Sequence, residues 1–227
     1  MTRFAFDIVG FDLDGTLLDT SRDIGVALNH ALVQAGRDPV PESEVPQMIG
    51  GGSRRLLDRA MARTGGVLPD EEQSSLYRDL IAFYEANLSV HTRLYPGGAE
   101  MLDGLEARGA RLALVTNKLE RLAIKLLDDL GLSHHFYTIL GGDSLGPGRA
   151  KPAPDLLHEM VARGGGGRAA YVGDSSYDTG AARAAGLPCV GVSFGFSDVP
   201  PGQLDAAVVI DHYDELIPAL EGLSQAG

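Results

Sequence analysis

Six short apolar, β-branched runs divide this chain, at residues 8–11, 111–116, 138–140, 169–173, 189–192 and 207–210. Several are apolar at nearly every position rather than at every second one, which is the pattern of strands covered on both faces in a parallel sheet. From residue 111 onward, helical periodicities fill the gaps, at 119–130, 153–163, 177–185 and 213–223. Gly131, Gly164 and Gly186 stand at or near helix ends, where glycine readily closes the last turn. Alternation of this kind predicts an α/β domain with a parallel sheet and right-handed crossovers.

Residues 18–95 follow another rule. They contain no clear strand and three amphipathic patterns. Ile24, Ala27, Leu28, Ala31 and Leu32 share one helical face, Leu56, Leu57, Ala60 and Met61 a second, and Leu76, Leu80, Ile81 and Tyr84 a third. A module this long is no crossover. It predicts a small helical cap domain inserted after the first strand, with Tyr95-Pro96-Gly97-Gly98 as the return hinge and with 1–17 and 96–227 as the core domain. The glycine run 164–167 reads as a flexible turn, and fraying is expected only at 224–227.

At 227 residues the chain can bury one sizeable core plus an accessory module. Its 31 acidic against 19 basic residues give a net charge of -12, a field that repels nucleic acid. Cys189 is the single cysteine, so no internal disulfide forms, and its apolar setting predicts a small core residue in a reducing compartment. The first seven residues do not resemble a signal peptide, and no segment has the ~20 apolar residues of a membrane span. The expectation is a cytoplasmic protein with neither a nucleic-acid nor a membrane partner; oligomeric state stays open.

Chemistry concentrates where the apolar runs end. The first closes on Asp12-Leu13-Asp14-Gly15-Thr16. Two aspartates at i and i+2 past a strand can converge on one cation, with Gly15 permitting the turn. Magnesium suits such hard oxygen donors and usually takes one or two carboxylates. Taken alone, the segment is also an ordinary Asp-Gly turn. The second run, however, ends in Val115-Thr116-Asn117-Lys118, the third is followed by Lys151-Pro152, and the fourth ends in Gly173-Asp174-Ser175-Ser176-Tyr177-Asp178. Four successive strands thus deliver polar groups to one edge.

In order and spacing this set resembles the haloacid dehalogenase-like phosphohydrolases over essentially the whole chain. The resemblance implies a Rossmann-like three-layer sandwich with a parallel central sheet, and a Mg2+-dependent phosphomonoester hydrolase. By motif position Asp12 matches the nucleophile that forms an aspartyl-phosphate, with Leu13 beside it in the phosphate-binding loop. Asp14 matches the acid/base, its main-chain carbonyl being a metal ligand. Thr116 and Asn117 match the phosphoryl cradle, and Lys151 the balancing cation. Asp12, Asp14 and Asp174 are the implied metal ligands, with Asp178 orienting Asp174 or its waters. The bland alternatives are a solvated loop lysine at 151, a strand-end hydroxyl at 116 and a helix-start acid at 178.

The cap segment Ile49-Gly50-Gly51-Gly52-Ser53-Arg54-Arg55 places glycines before a helical run. Such a start favours an anion, so Gly51, Gly52 and Arg54 are candidate substrate contacts, the loop 50–52 with Arg54 or Arg55 being expected to receive a substrate carboxylate. A flexible turn N-capped by Ser53 is the plainer reading. Tyr95-Pro96-Gly97, Gly141-Gly142-Asp143-Ser144 and Lys151-Pro152-Ala153-Pro154 look like the phosphoglycolate phosphatase branch, which implies 2-phosphoglycolate as substrate. Competing readings are a phosphosugar or nucleotide phosphatase, a mutase of the same superfamily, and a non-catalytic receiver that merely accepts a phosphoryl group on Asp12.

Overall fold

The computed structural model describes residues 4–223; the expectations for 224–227, and for the first three residues of the chain, lie outside the described residues. Strand β1 (Ile8–Phe11) is wholly buried. The chain then pairs β2 (Leu18–Asp19) antiparallel with β3 (Arg93–Leu94), in register Leu18 to Leu94 and Asp19 to Arg93. Between them lie three helices, α1 (Ser21–Gln34), α2 (Ser53–Arg63) and α3 (Asp70–Ala86). The apolar faces read from the sequence are the faces they bury.

The remaining chain alternates as expected, in the order α4 (Gly98–Glu106), β4 (Arg111–Val115), α5 (Glu120–Asp129), β5 (Phe136–Leu140), α6 (Asp155–Arg163), β6 (Ala169–Gly173), α7 (Ser176–Ala185), β7 (Cys189–Val192), β8 (Val208–Ile210) and α8 (Leu216–Leu223). Six strands form one sheet in the order β5-β4-β1-β6-β7-β8, and every pair is parallel. Neighbouring residues point to opposite faces. Ile8, Ala113 and Tyr171 pack with Leu156, Leu157 and Met160 of α6. Val9, Leu112 and Leu114 pack with Leu102 of α4, Leu126 of α5 and Leu220 of α8. Three layers result. The second core also takes in Leu28, Leu57 and Leu80 of the insertion, so the helical module shares the apolar interior of the sheet layer.

Two features depart from the sequence reading. Residues 18–95 do contain strand, but β2 and β3 are two residues each, too short to show a period. Helix α4 went unforeseen because it follows Pro96, Gly97 and Gly98 directly, with Gly97 in the left-handed region at φ 77.

Candidate active site

At the carboxyl edge β1 stops at Phe11 and the chain turns. Gly15 adopts φ +84, and a Cβ there would lie 2.3 Å from Asp174 Oδ2. A side chain at this point would push the loop after β1 off the loop after β6. The close approach brings Asp12 and Asp174 to one place. Both are buried.

Lys151 organises this centre. Its side chain is 1% exposed. Nζ donates to Val115 O at 2.9 Å, Tyr171 Oη at 2.8 Å and Asp178 Oδ1 at 2.6 Å. Those bonds use the three protons of an ammonium. Asp12 Oδ1 sits 2.8 Å from the same nitrogen, a fourth and ionic contact. Burial alone would lower the Lys151 ammonium, but Asp12 and Asp178 hold it above its ordinary range. Burial, opposed by Lys151, pushes the Asp12 carboxyl up to about 6. Asp174 is raised well above the carboxylate range by burial and by the charges of Asp178 and Asp12.

Such crowding of carboxyls invites a cation. Oxygens of Asp12, Asp174 and Asp178 all lie within 4.8 Å of one another. Asp178, however, is already committed: Oδ1 meets Lys151, and Oδ2 accepts the Ser175 N–H at 3.0 Å and its hydroxyl at 2.5 Å, closing a capping box on α7. Asp174 accepts only the Phe196 N–H at 2.6 Å and a long 3.3 Å bond from Thr16 Oγ1. Asp12 and Asp174, whose oxygens lie close together and are less committed than those of Asp178, therefore fit a hard divalent cation.

A second ion pair stands beside the first. Lys118 Nζ donates to Asp14 at 2.7 and 3.0 Å, and Thr20 Oγ1 adds a 2.7 Å bond. Burial would lower Lys118, and Asp14 overrides that to raise it. Thr116 Oγ1 accepts the Lys118 N–H at 3.2 Å, which leaves its hydroxyl proton free for another acceptor. Asn117 Nδ2 donates to Lys151 O at 2.9 Å. Its loop is braced from behind, where Gly142 N–H donates to Lys118 O and Asp143 accepts the Glu120 N–H. The motif at 141–144 thus supports the loop after β4.

Asp12, Asp14, Thr116, Asn117, Lys118, Lys151 and Asp174 open onto one pocket, whose other wall includes Ile24, Ala27, Gly51, Gly52, Leu80 and Tyr84 of the helical segment. Burial pushes the Tyr84 phenol up to about 12.

The haloacid dehalogenase-like hydrolase family model matches residues 9–192, spanning β1 to β7. The chain belongs to that family. It is 42% identical to the phosphoglycolate phosphatase of Agrobacterium fabrum over 92% of this chain and 90% of that one. To the phosphoglycolate phosphatase of Caulobacter vibrioides it is 41% identical over 90% and 86%. The crystal structure of a protein described as a predicted phosphoglycolate phosphatase of Haemophilus somnus overlays it with a TM-score of 0.89 at 32% identity, covering 96% of this chain and 99% of that one.

As a haloacid dehalogenase-like hydrolase, the chain brings Asp12, Asp14, Thr116, Asn117, Lys151 and Asp174 around one pocket as the motifs implied. Leu13 is fully buried, and only its backbone serves the loop, its carbonyl accepting from Thr16 and Leu18. Asp178 acts on Lys151 and Ser175 rather than directly on Asp174. Gly51 and Gly52 line the pocket, with φ 74 and 92.

Arg54 does not line it. Burial of Leu56, Leu57, Ala60 and Met61 fixes the rotation of α2 and turns Arg54 outward, where its guanidinium lies 4.4 Å from the Tyr77 ring centroid. Arg55 instead donates to Tyr177 Oη at 2.8 Å. Ser53 is not the N-cap either: Gly52 is, and the Ser53 hydroxyl bonds Tyr77 at 2.9 Å. The sequence reading gave no role to Lys118, although a cation directly after the apolar 111–116 run was a signal. Tyr171 and Phe196 carried none, being one more core aromatic and a backbone donor.

Proposed function

We propose that this chain is a Mg2+-dependent phosphomonoester hydrolase that works through a phosphoryl group carried on Asp12, with 2-phosphoglycolate as its substrate. The observation that carries this reading is the Asp12 carboxylate itself: buried at the pocket, ionically balanced by Lys151 at 2.8 Å, and beside Asp174. A carboxylate so placed is a nucleophile awaiting an electrophile.

An Asp12 oxygen attacks phosphorus while the bond to the substrate alkoxide breaks. Asp14, which must enter this step protonated and so released from its ion pair with Lys118, gives that alkoxide a proton. It then takes one from the water that attacks the aspartyl-phosphate, releasing inorganic phosphate and regenerating Asp12. Lys151, the Thr116 hydroxyl and the Asn117 N–H balance the phosphoryl charge from fixed positions. Mg2+, held by Asp12 and Asp174 with the Asp14 carbonyl, supplies further charge neutralisation when bound. The segment 18–95 serves as a cap domain over the core formed by 1–17 and 96–227; the β2–β3 ribbon at its two crossing points supports this division. Closure of such a cap excludes water from the reaction.

The relatives named phosphoglycolate phosphatase at 42% and 41% identity support that substrate over a phosphosugar, a nucleotide or a mutase reaction. They also support repeated turnover over a receiver that is phosphorylated once. The single buried thiol, Cys189, is in keeping with a cytoplasmic enzyme. Phosphate release should be measured from a panel of small phosphomonoesters with and without Mg2+. Multiple turnovers that require Mg2+ and are fastest on 2-phosphoglycolate are expected; Mg2+-independent release, or none from any ester, contradicts the reading.

A further inference from the structure

Tyr84 stands on the inner face of α3 with Leu76, Leu80 and Ile81, where periodicity alone would accept any large apolar side chain. It is 5% exposed, and its buried hydroxyl has the Lys118 ammonium as its polar neighbour, but no acceptor for its own proton among the described residues. A phenylalanine would fill the same space without leaving a polar group unmatched. The residue lines the pocket that holds Asp12 and Asp14. Lys118 Nζ lies 4.7 Å from the ring centroid. An ammonium only donates, so Lys118 cannot take up the phenolic proton, whichever way it leans. That proton needs an acceptor from outside the protein.

The rest of this wall agrees. Its lining residues from the helical segment include neither an acid nor a base. Helix α2 starts there on Gly52 with no side-chain cap, so its first N–H groups are donors too. Opposite the phosphoryl-handling groups the pocket therefore offers a phenolic O–H and backbone N–H groups.

We propose that Tyr84 is a specificity-determining residue whose O–H, flanked by Lys118, donates to a carboxylate on the alcohol portion of the substrate, the part that is not transferred. This rests on the phosphatase reading above and assigns the carboxylate to Tyr84 rather than to the arginines at the start of α2. A carboxylate is acceptor-only and can use two oxygens, one on Tyr84 and one on the donors beside it. An alkyl group in the same place leaves the O–H unmatched, and the site selects against it.

The test compares the wild type with Tyr84→Phe on two esters of similar size, 2-phosphoglycolate and ethyl phosphate. The ratio of kcat/KM for the first over the second should fall at least about tenfold in the variant, mainly through KM, as expected for one lost hydrogen bond to a charged group. The unfolding midpoint, followed by circular dichroism, should not drop, because the ring is retained. A ratio unchanged in Tyr84→Phe overturns the proposal, whether both rates hold or both fall together. If the wild type turns over 2-phosphoglycolate and only the ratio test fails, the phosphatase reading stands and Tyr84 loses its role; no wild-type turnover of 2-phosphoglycolate removes both.

Discussion

At the carboxyl edge of the sheet, buried charges are held by named counter-charges: Asp12 and Asp178 by Lys151, Asp14 by Lys118. Across the same pocket the helical insertion presents leucine, isoleucine, alanine and glycine with the hydroxyls of Ser53 and Tyr84, and no charged side chain. The edge is cross-braced, so loops far apart in sequence are fixed relative to one another. The insertion is tied to it by apolar packing, by a two-residue ribbon and by polar contacts nearer the surface, such as Arg55 to Tyr177 and Ser89 to Asp129. Groups that handle phosphorus need fixed positions, because the charge they meet develops only in the transition state. A wall that only sorts substrates needs shape and a few donors. On the proposed reading the chemistry resides in the brace and the choice of substrate in the insertion.

Substitutions on the two sides should separate accordingly. Asp12→Asn removes the attacking carboxylate while keeping its volume, so kcat should fall on the order of 10^4-fold or more with the circular dichroism spectrum unchanged. Near-wild-type turnover would place the nucleophile elsewhere. Lys151→Met leaves two buried carboxylates without their cation. Loss of one partner from such a pair costs about 3–5 kcal/mol, read as a lowered urea midpoint. A loss under about 1 kcal/mol would mean that the brace does not hold the edge together.

A smaller effect follows from pH. In the metal-free protein Asp12 titrates near 6 rather than 3.8, so the folded state binds more protons between those values. Its stabilising contribution is fully present below about 3.8 and is lost as pH rises through about 6. A divalent cation binds the ionised form and opposes that loss. The rise in Tm on adding Mg2+ should therefore be larger at about pH 7.5 than at about pH 5, by a few degrees; an equal shift at both would show that Asp12 and Asp174 do not hold the cation. Smallest of all is Arg54→Ala on the outer side of the lid. It should change KM less than about twofold and stability by about 0.5–1 kcal/mol, the range for one exposed cation–π contact. A large rise in KM would return Arg54 to the substrate.

The same contrast explains what could be read from the sequence. Asp12, Asp174 and Lys151 were legible because each follows an apolar run, and a parallel sheet collects such positions at one edge. Lys118 was visible in the string, but its pairing with Asp14 spans 104 positions and no local pattern encodes it. In the insertion, periodicity placed Tyr84 on the buried face correctly without revealing that the face borders a pocket. It likewise could have turned Arg54 outward, had the apolar stripe of α2 been given more weight than the glycine loop before it. Strands β2 and β3 were too short for any period to emerge.

Covalent chemistry at Asp12 can be observed directly. The enzyme is mixed with 2-phosphoglycolate carrying a labelled phosphoryl group, quenched in acid within the first turnover and digested. Label on the peptide containing Asp12, absent from Asp12→Asn, is the expected result. Label on another residue, or full turnover with no labelled protein at any quench time, would contradict it.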